Sequence, residues 1–153
     1  AQFGGVARRF HYRGEKNGVS FIDDYAHLPT EVSSALQAAK EGDWGRIICV
    51  FQPHRYSRTQ DFWNDFSHSF QNADVVYITG IYSAGESPIP GVSGRLIADT
   101  VRESESGKQV VYCEHRTELV DRIRSELTQG DLCLTLGAGD ITTLPNELIS
   151  GLA

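Results

Sequence analysis

The feature that most constrains the fold is an alternation of short β-branched runs with longer stretches of helical period, which begins near residue 46. The runs at residues 46–51, 74–79, 109–113 and 131–136 are typical of buried strands. Strands that alternate with helices favour a largely parallel sheet with helices on its faces. The pattern therefore predicts an α/β sandwich.

Three sets of apolar residues at helical spacing predict helices that pack on this sheet. The sets are Val32, Ala35, Leu36 and Ala39; Phe62, Trp63, Phe66 and Phe70; and Leu119, Val120, Ile123 and Leu127. Pro29 is well placed to begin the first helix, and Gly130 to end the last. The segment at residues 83–94 is rich in Gly, Pro and Ser and is predicted to be the least regular.

Two further strands are predicted before the first helix, at residues 9–13 and 19–23. Between them lies the pair Asn17 and Gly18, a strong signal for a tight hairpin turn. We therefore expect an N-terminal β-hairpin, followed by the mostly parallel sheet, in one domain that spans residues 1–153.

Composition argues against several classes of function. The length of 153 residues suits one domain with one core. No apolar run approaches the ~20 residues of a membrane-crossing helix, and residues 1–9 lack the apolar core of a signal peptide. We therefore expect a cytoplasmic protein with no membrane partner. A net charge of −6 without a long basic tract argues against general nucleic-acid binding.

The cysteines are three in number and show no Cys-x-x-Cys pair. Cys49, Cys113 and Cys133 each lie in an apolar run that is predicted to be a strand. An odd count and this spacing argue against a disulfide framework or a thiolate zinc site. We expect three buried, reduced thiols.

Polar and unusual residues concentrate in the loops that follow the predicted strands. In open α/β sheets, ligands bind beyond the carboxyl ends of the strands, on the connecting loops. The loops concerned are residues 23–30, 52–59, 80–94 and 137–141. We therefore expect the functional site at this edge of the sheet.

The first of these loops begins with Asp-Asp-Tyr-Ala-His at residues 23–27. Two carboxylates and an imidazole could hydrogen-bond a ribose, hold a metal or act on protons. Alternatively, Asp24 or Thr30 caps the following helix and His27 is an ordinary surface residue. The spacing leaves both interpretations open.

The second loop carries His54, Arg55 and Arg58 immediately after an apolar strand. Guanidinium groups bind carboxylates and phosphates through paired hydrogen bonds, and a helix N-terminus would add to the attraction. The alternative is that both arginines pair with acidic neighbours on the surface. We favour an anion site, because this basic cluster stands out in an acidic chain.

Two other features carry weaker signals. Residues 137–140 have a Gly-x-Gly pattern that lacks the third glycine of the dinucleotide fingerprint. We therefore favour a structural turn, in which Asp140 is the N-cap of the following helix. Glu86, in the loop at residues 81–89, could be an active-site carboxylate or a solvated charge. The sequence does not decide its role.

The sequence also lacks several catalytic signatures. His11, His68 and His115 stand at no metal-ligand spacing, so we expect no metal that is bound wholly by this chain. No Gly-x-x-x-x-Gly-Lys-Ser/Thr phosphate loop is present. An enzyme that uses ATP would therefore need a phosphate-binding site in another part of a larger protein.

Five motifs, taken together and in order, resemble the UDP-N-acetylmuramate–L-alanine ligases of the Mur ligase family. They lie at residues 6–10, 23–31, 51–59, 81–89 and 136–141, so the resemblance spans nearly the whole chain. It implies the Rossmann-like C-terminal domain of a three-domain enzyme. The domain that binds the UDP-sugar and the central ATPase domain would then lie outside this chain, which alone would be inactive.

The resemblance also implies roles for residues of the first loop. Arg9 and Asp24 match positions that contact the ATP ribose. His27 matches a histidine near the phosphates and the amino-acid pocket, and is a candidate catalytic base. One departure is Leu28, which stands where the family usually has a second histidine.

For the second loop, the resemblance implies that His54, Arg55 and Arg58 gather around the carboxylate of L-alanine, with Tyr25 lining the same pocket. ATP with Mg²⁺, L-alanine and UDP-N-acetylmuramate are the implied ligands. Closure over the other two domains is the implied motion. In the implied mechanism the muramoyl carboxylate attacks the γ-phosphate of ATP, which gives an acyl phosphate and ADP. The amine of L-alanine then attacks the carbonyl carbon, and phosphate leaves.

Three rival functions are considered. The nearest is a sibling ligase that attaches a recycled tripeptide to the same sugar nucleotide, but it should differ around residues 52–59. A stand-alone nucleotide-binding or regulatory module is a second rival. The third is a metal-dependent hydrolase that uses Asp23, Asp24, His27 and His54, which would require tight binding of a divalent metal.

Overall fold

A computed structural model describes residues 9–152. It contains one six-stranded sheet and five α-helices. The strands are β1 (His11–Lys16), β2 (Val19–Asp24), β3 (Arg46–Phe51), β4 (Val75–Thr79), β5 (Gln109–Cys113) and β6 (Asp131–Leu136). The helices are α1 (Pro29–Lys40), α2 (Tyr56–Phe62), α3 (Arg95–Ser104), α4 (Arg116–Glu126) and α5 (Leu144–Gly151).

The sheet is mostly parallel, as the sequence predicts. Its strand order is β1-β2-β6-β3-β4-β5. Strands β2 to β5 are parallel to their neighbours along this order, and β1 is antiparallel to β2. The last strand, β6, lies between β2 and β3, so the carboxyl ends of β2, β6, β3 and β4 lie side by side at one edge.

Helices cover both faces and give three layers. Apolar residues of α1 and α3 pack on one face of the sheet, together with aromatic residues that follow α2. Residues of α4 and α5 pack on the other face. Fully burying a side chain such as Leu36 or Ile123 stabilises the fold by roughly 1.5–3 kcal/mol before entropic costs. The Rossmann-like α/β sandwich is thus confirmed.

The hairpin forms as predicted, although its first strand is shifted. Asn17 and Gly18 have φ values of 55° and 79° and form the two-residue turn. Strand β1 begins at His11 and continues to Lys16, whereas the sequence predicted residues 9–13. The register shifts between Tyr12 and Gly14, and this irregularity lets the strand continue through the glycine. The motif residues 6–8 lie outside the described part of the chain.

The prediction of one aromatic helix face after β3 is wrong. Helix α2 ends at Phe62, and a 3₁₀ turn (Trp63–Phe66) follows. Phe66 and Phe70 are buried against Phe51, whereas Phe62 is 41% exposed. The change from α-helix to 3₁₀ geometry rotates the later aromatic residues away from the direction of Phe62.

The prediction for the cysteines is confirmed, since all three are free and buried. Burial raises the pKa of Cys133 to about 12 and raises that of Cys49 still further. These thiols therefore stay protonated and pack as small apolar side chains.

An ion cluster closes the opposite edge of the sheet, where the strands begin. The guanidinium of Arg46 donates to both carboxylate oxygens of Asp131, at 3.0 and 2.8 Å, and to Glu126 at 2.8 Å. Asp131 is 2% exposed. Hydrogen bonds from Arg46 lower the pKa of Glu126 against the effect of burial. The cluster joins β3, β6 and the end of α4.

Candidate functional site

The loops after β2, β3, β4 and β6 meet at the carboxyl edge of the sheet, as predicted. The ring centroids of His27 and His54 are 5.6 Å apart, although their strands are separated by β6. The His54 ring in turn stacks on Tyr82, at 5.6 Å and an interplanar angle of 15°. Three loops thus contribute one ring each to a continuous row.

The two aspartates that end β2 have different surroundings. Asp23 is fully buried and accepts hydrogen bonds from Thr135 at 2.6 Å and Thr142 at 2.9 Å. Arg13 lies 3.8 Å from the same carboxylate. Asp23 therefore ties β2 to β6 and the segment beyond it, and it is not available to a ligand.

Asp24 holds the segment before β1 against the loop after β2. Its two carboxylate oxygens accept hydrogen bonds from the backbone N–H groups of Phe10 and Ala26, both at 2.8 Å. Its Oδ1 also lies 3.9 Å from the guanidinium of Arg9. Asp24 is only 4% exposed, whereas half of the Arg9 side chain is open to solvent. The guanidinium of Arg9 also lies 3.6 Å from Glu31, and it is the more exposed of the two groups.

His27 is held in a defined orientation inside the first loop. Its Nδ1 lies 3.1 Å from the backbone oxygen of Tyr25 and 3.4 Å from Glu31. Because a carbonyl oxygen only accepts, Nδ1 carries the proton and Nε2 is left as the acceptor in the neutral ring. The Tyr25 ring meets the imidazole edge-on at 5.2 Å. The His27 side chain is 13% exposed, so it is not an ordinary surface residue.

Neither Asp24 nor Thr30 caps α1, so that alternative is wrong. The N-cap residue is Leu28, and the Glu31 carboxylate accepts hydrogen bonds from the N–H groups of His27 and Leu28, each at 3.1 Å. Burial tends to raise the pKa of Glu31, but these bonds and nearby positive charges lower it overall. The fixed start of α1 thereby fixes the position of His27.

The second loop is attached to the third by a short parallel bridge. Tyr82 donates its N–H to the Pro53 oxygen at 2.9 Å, and Arg55 donates its N–H to the Tyr82 oxygen at 2.8 Å. Arg55 has a φ of +73°, which is rare for a residue with a side chain. Its backbone oxygen accepts from Thr59 in α2. The bridge and the start of α2 together hold this unusual conformation.

Glu86 is a site residue whose role the sequence did not reveal. Its carboxylate accepts hydrogen bonds from the N–H of Ser57 at 3.0 Å and from its hydroxyl at 2.5 Å. It also lies 3.9 Å from the guanidinium of Arg55. Bonds from Ser57 lower the pKa of Glu86. The N-terminus of α2, which was expected to attract the ligand, is thus occupied by Glu86.

His54 lies in an environment that disfavours its charged form. Burial lowers the pKa of His54, and His27, Arg55 and Arg58 lower it further, with Glu86 acting in the opposite direction. Its Nδ1 is buried and has no hydrogen-bond partner among residues 9–152. His54 therefore lies beside two arginines in surroundings that favour its neutral form.

The arginines differ in how much of their charge is already compensated. Arg55 is close to Glu86, as the alternative of surface pairing suggested. For Arg58, no hydrogen bond or ion pair occurs within the described part of the chain, and its side chain is partly exposed. The loop therefore retains positive charge that an anion could compensate.

The prediction that Asp140 is the helix N-cap after the turn at residues 137–140 is wrong. Gly139 precedes the 3₁₀ turn (Asp140–Thr143), and the Asp140 carboxylate instead accepts a hydrogen bond from Gln52 at 2.8 Å. A methyl group at Gly139 would overlap the ring of Tyr82. Glycine is needed here because the backbone contacts that ring directly.

A cleft of about 620 Å³ lies beside this row of rings, over the ends of β4 and β6. Its lining includes Tyr82, whose ring stacks on His54, together with Gln52, Glu114, Arg116 and Thr143. Most of its lining belongs to the loops at residues 52–59, 80–94 and 137–141, which the sequence predicts to carry the site, whereas Glu114 and Arg116 follow β5 and were not predicted.

The described residues hold neither a metal-binding cluster nor a membrane-crossing helix. Between residues 9 and 152, no three His, Cys, Asp or Glu side chains are grouped so that they could hold a metal ion. In the same range, no helix has the length and apolar character needed to cross a membrane.

Comparison with known proteins identifies the family. The family described as "Mur ligase, glutamate ligase domain" matches residues 8–139. The chain belongs to this family. Within the Mur ligases, it is 46% identical over 149 residues to the UDP-N-acetylmuramate–L-alanine ligase of Myxococcus xanthus (strain DK1622). That alignment covers 97% of this chain and 31% of the relative, so the chain spans about a third of the length of such relatives.

Solved structures agree with the family assignment. The UDP-N-acetylmuramate-alanine ligase of Thermotoga maritima superposes with a TM-score of 0.74 at 30% identity, over 94% of this chain and 29% of that one. A domain from a putative UDP-N-acetylmuramate:L-alanyl-γ-D-glutamyl-meso-diaminopimelate ligase of Haemophilus ducreyi has a TM-score of 0.68 at 24% identity. It covers 95% of this chain and 100% of that one, and this likeness shows the shared fold alone.

Proposed function

We propose that this chain is the C-terminal domain of an ATP-dependent ligase that joins L-alanine to UDP-N-acetylmuramate. The Mur ligase relatives named for this activity support the proposal, as does the intact run from His54 to Arg58. The observation that carries it is the gathering, in one loop, of Arg55 and of Arg58, which has no hydrogen bond or ion pair within residues 9–152, around the His54 ring. Such a site suits a small carboxylate.

In this function Arg55, Arg58 and His54 bind the carboxylate of L-alanine. Guanidinium groups fix both the position and the plane of a carboxylate by paired hydrogen bonds. Tyr25 packs edge-on against His27 and lines the same pocket. The domain acts by holding the amino acid so that its amine faces the activated sugar nucleotide.

His27 is the candidate acceptor for the proton that the amine loses. Its Nδ1 is bonded to the Tyr25 oxygen, which leaves Nε2 as the basic atom of the neutral ring. The Glu31 carboxylate, 3.4 Å from Nδ1, stabilises the positive charge that protonation of Nε2 creates. His27 and His54 are close enough for one small amino acid to contact both rings.

The nucleotide is proposed to contact Arg9, whose exposed guanidinium is oriented by Asp24. Bound ATP supplies the phosphoryl group that activates the muramoyl carboxylate. Both Asp24 oxygens already accept backbone hydrogen bonds, so we assign Asp24 a supporting role beside Arg9. Mg²⁺ is proposed to accompany ATP, but the donor set of residues 9–152 does not fit a metal site, and we assign it no ligand here. We place the ligase in the cytoplasm, where ATP and L-alanine are available.

The test is phosphate release by the complete protein that contains this chain, with ATP, Mg²⁺ and UDP-N-acetylmuramate. Release that depends on L-alanine would support the proposal. Release that depends on the tripeptide L-alanyl-γ-D-glutamyl-meso-diaminopimelate, and not on L-alanine, would identify the sibling ligase instead. ATP binding without release under any of these conditions would favour a nucleotide-binding module.

A further inference from the structure

Tyr82 is held by contacts of both its backbone and its ring. Its N–H and C=O groups bond to Pro53 and Arg55 on either side of His54. Its ring stacks on the His54 ring at 5.6 Å and packs directly on Gly139. The bridge fixes the backbone of Tyr82, and its ring is packed between two loops of the site, so rotation of the side chain would break the stacking on His54 and the packing on Gly139.

Tyr82 also separates two spaces of different size. On one side lie His54 and the arginines, the proposed site for the amino-acid carboxylate. On the other side lies the 620 Å³ cleft, whose lining includes none of these basic residues. The cleft is far larger than a methyl group requires. Its lining is polar and includes Glu114, Arg116 and Asp140.

We propose that Tyr82 determines which amino acids the ligase accepts, by closing the carboxylate site off from this cleft. The inference rests on the proposed function, because it takes His54, Arg55 and Arg58 as the carboxylate anchor. An amino acid that is anchored there meets the Tyr82 ring if its side chain is long and directed toward the cleft. Alanine fits on the His54 side of the Tyr82 ring. A longer side chain with a polar or charged end would need the space of the cleft on the other side of the ring.

As a second consequence, a smaller residue at position 82 would open the cleft to the side chain of the bound amino acid. Its carboxylates and its guanidinium could pair with the ends of long polar side chains. Removal of the ring should therefore favour amino acids such as L-lysine and L-glutamine over apolar ones of equal length.

The experiment compares the complete ligase with its Tyr82→Ala, Tyr82→Leu and Tyr82→Phe variants. Phosphate release would be measured with L-alanine, L-valine, L-leucine, L-glutamine and L-lysine, and kcat/KM for each would be divided by that for L-alanine. Tyr82→Phe keeps the stacked ring and should retain the wild-type ratios. Ser83→Ala changes the cleft lining without opening the boundary and is the matched control.

In Tyr82→Ala, the kcat/KM ratios for long polar amino acids relative to L-alanine should rise by about 10-fold or more, and in Tyr82→Leu they should rise less. This size is expected because one methylene that a pocket accepts or excludes changes kcat/KM by roughly 10- to 200-fold. Unchanged ratios would overturn the inference. So would loss of activity with every amino acid in both variants, because Tyr82 would then serve only to support His54. If wild type does not use L-alanine, the proposed function itself has failed, which the same assay shows separately.

Discussion

The carboxylate of Glu86 accepts hydrogen bonds from both the backbone N–H and the hydroxyl of Ser57. This contact joins the loop after β4 to the start of α2. It also places a negative charge 3.9 Å from Arg55, at the point where Arg55 has its unusual positive φ. The third loop of the site thus acts as a support for the second.

We predict that Glu86→Ala raises the KM of the complete ligase for L-alanine several-fold, with a smaller effect on the KM for ATP. The reason is that the segment from Arg55 to Ser57 loses the contact that positions the arginine. Steady-state kinetics of phosphate release provide the measurement. Glu103→Ala, at an exposed position of α3, is the control, and equal alanine KM values in the two variants would contradict the role of Glu86.

A second prediction concerns Arg9. Because its exposed guanidinium is proposed to contact the nucleotide, Arg9→Ala should raise the KM for ATP by about 10-fold, as expected when a hydrogen bond to a charged group is lost. The KM for L-alanine should stay near its wild-type value and serves as the internal control. A variant with an unchanged ATP KM would remove Arg9 from the nucleotide site.

The lowered pKa of His54 predicts a dependence of stability on pH. The unfolded chain binds a proton on this residue below about pH 6.5, whereas the folded chain binds it only at a lower pH. The free energy of unfolding should therefore rise with pH between the folded pKa and about 6.5, and the contribution is lost as pH falls through this window.

Urea unfolding of the 153-residue chain at several pH values tests this dependence. His54→Gln should have a shallower rise than wild type across the window, and His68→Gln, at an exposed position, is the matched control variant. An NMR titration should place the His54 pKa below the ordinary histidine value. Identical pH slopes for wild type and His54→Gln would show that burial does not disfavour the charged imidazole.

The ion cluster at the other edge of the sheet gives a prediction that is independent of function. Arg46→Ala leaves the buried Asp131 without its main partner and should lower the free energy of unfolding by about 2 kcal/mol. This loss is smaller than for a fully buried ion pair because the Arg46 side chain is about a third exposed. Urea unfolding measures it. Arg122→Ala, at an exposed position of α4, should cost less than about 0.5 kcal/mol. Equal losses would contradict the role of the cluster.

Much of the fold could be predicted because local patterns and tertiary packing agree. The β-branched runs became β3 to β6, and Asn17 with Gly18 formed the expected turn. The helix predicted from the aromatic residues after β3 does not form as one element, since spacing alone does not reveal that α2 ends at Phe62. Buried aromatic residues pack equally well from a 3₁₀ turn.

The site was predicted at the level of its loops but not of its contacts. Topology places the loops after parallel strands at one edge, so His27 and His54 could be expected to lie close together. The partners of Glu86 and the stacking of Tyr82 on His54 could not, because they depend on how two irregular loops pack. Gly139 was assigned to a turn, although its close approach to Tyr82 gives no signal in the sequence.

The central claim, that Arg55 and Arg58 bind the carboxylate of L-alanine, is tested most directly by the alanine dependence of phosphate release in the complete ligase. Arg55→Ala and Arg58→Ala should each raise the KM for L-alanine by about 10- to 100-fold, since a hydrogen bond to a charged group is worth roughly 1.5–3 kcal/mol. The KM values for ATP and UDP-N-acetylmuramate should change little. An unchanged alanine KM in both variants would contradict the account and leave the arginines with a structural or phosphate-binding role.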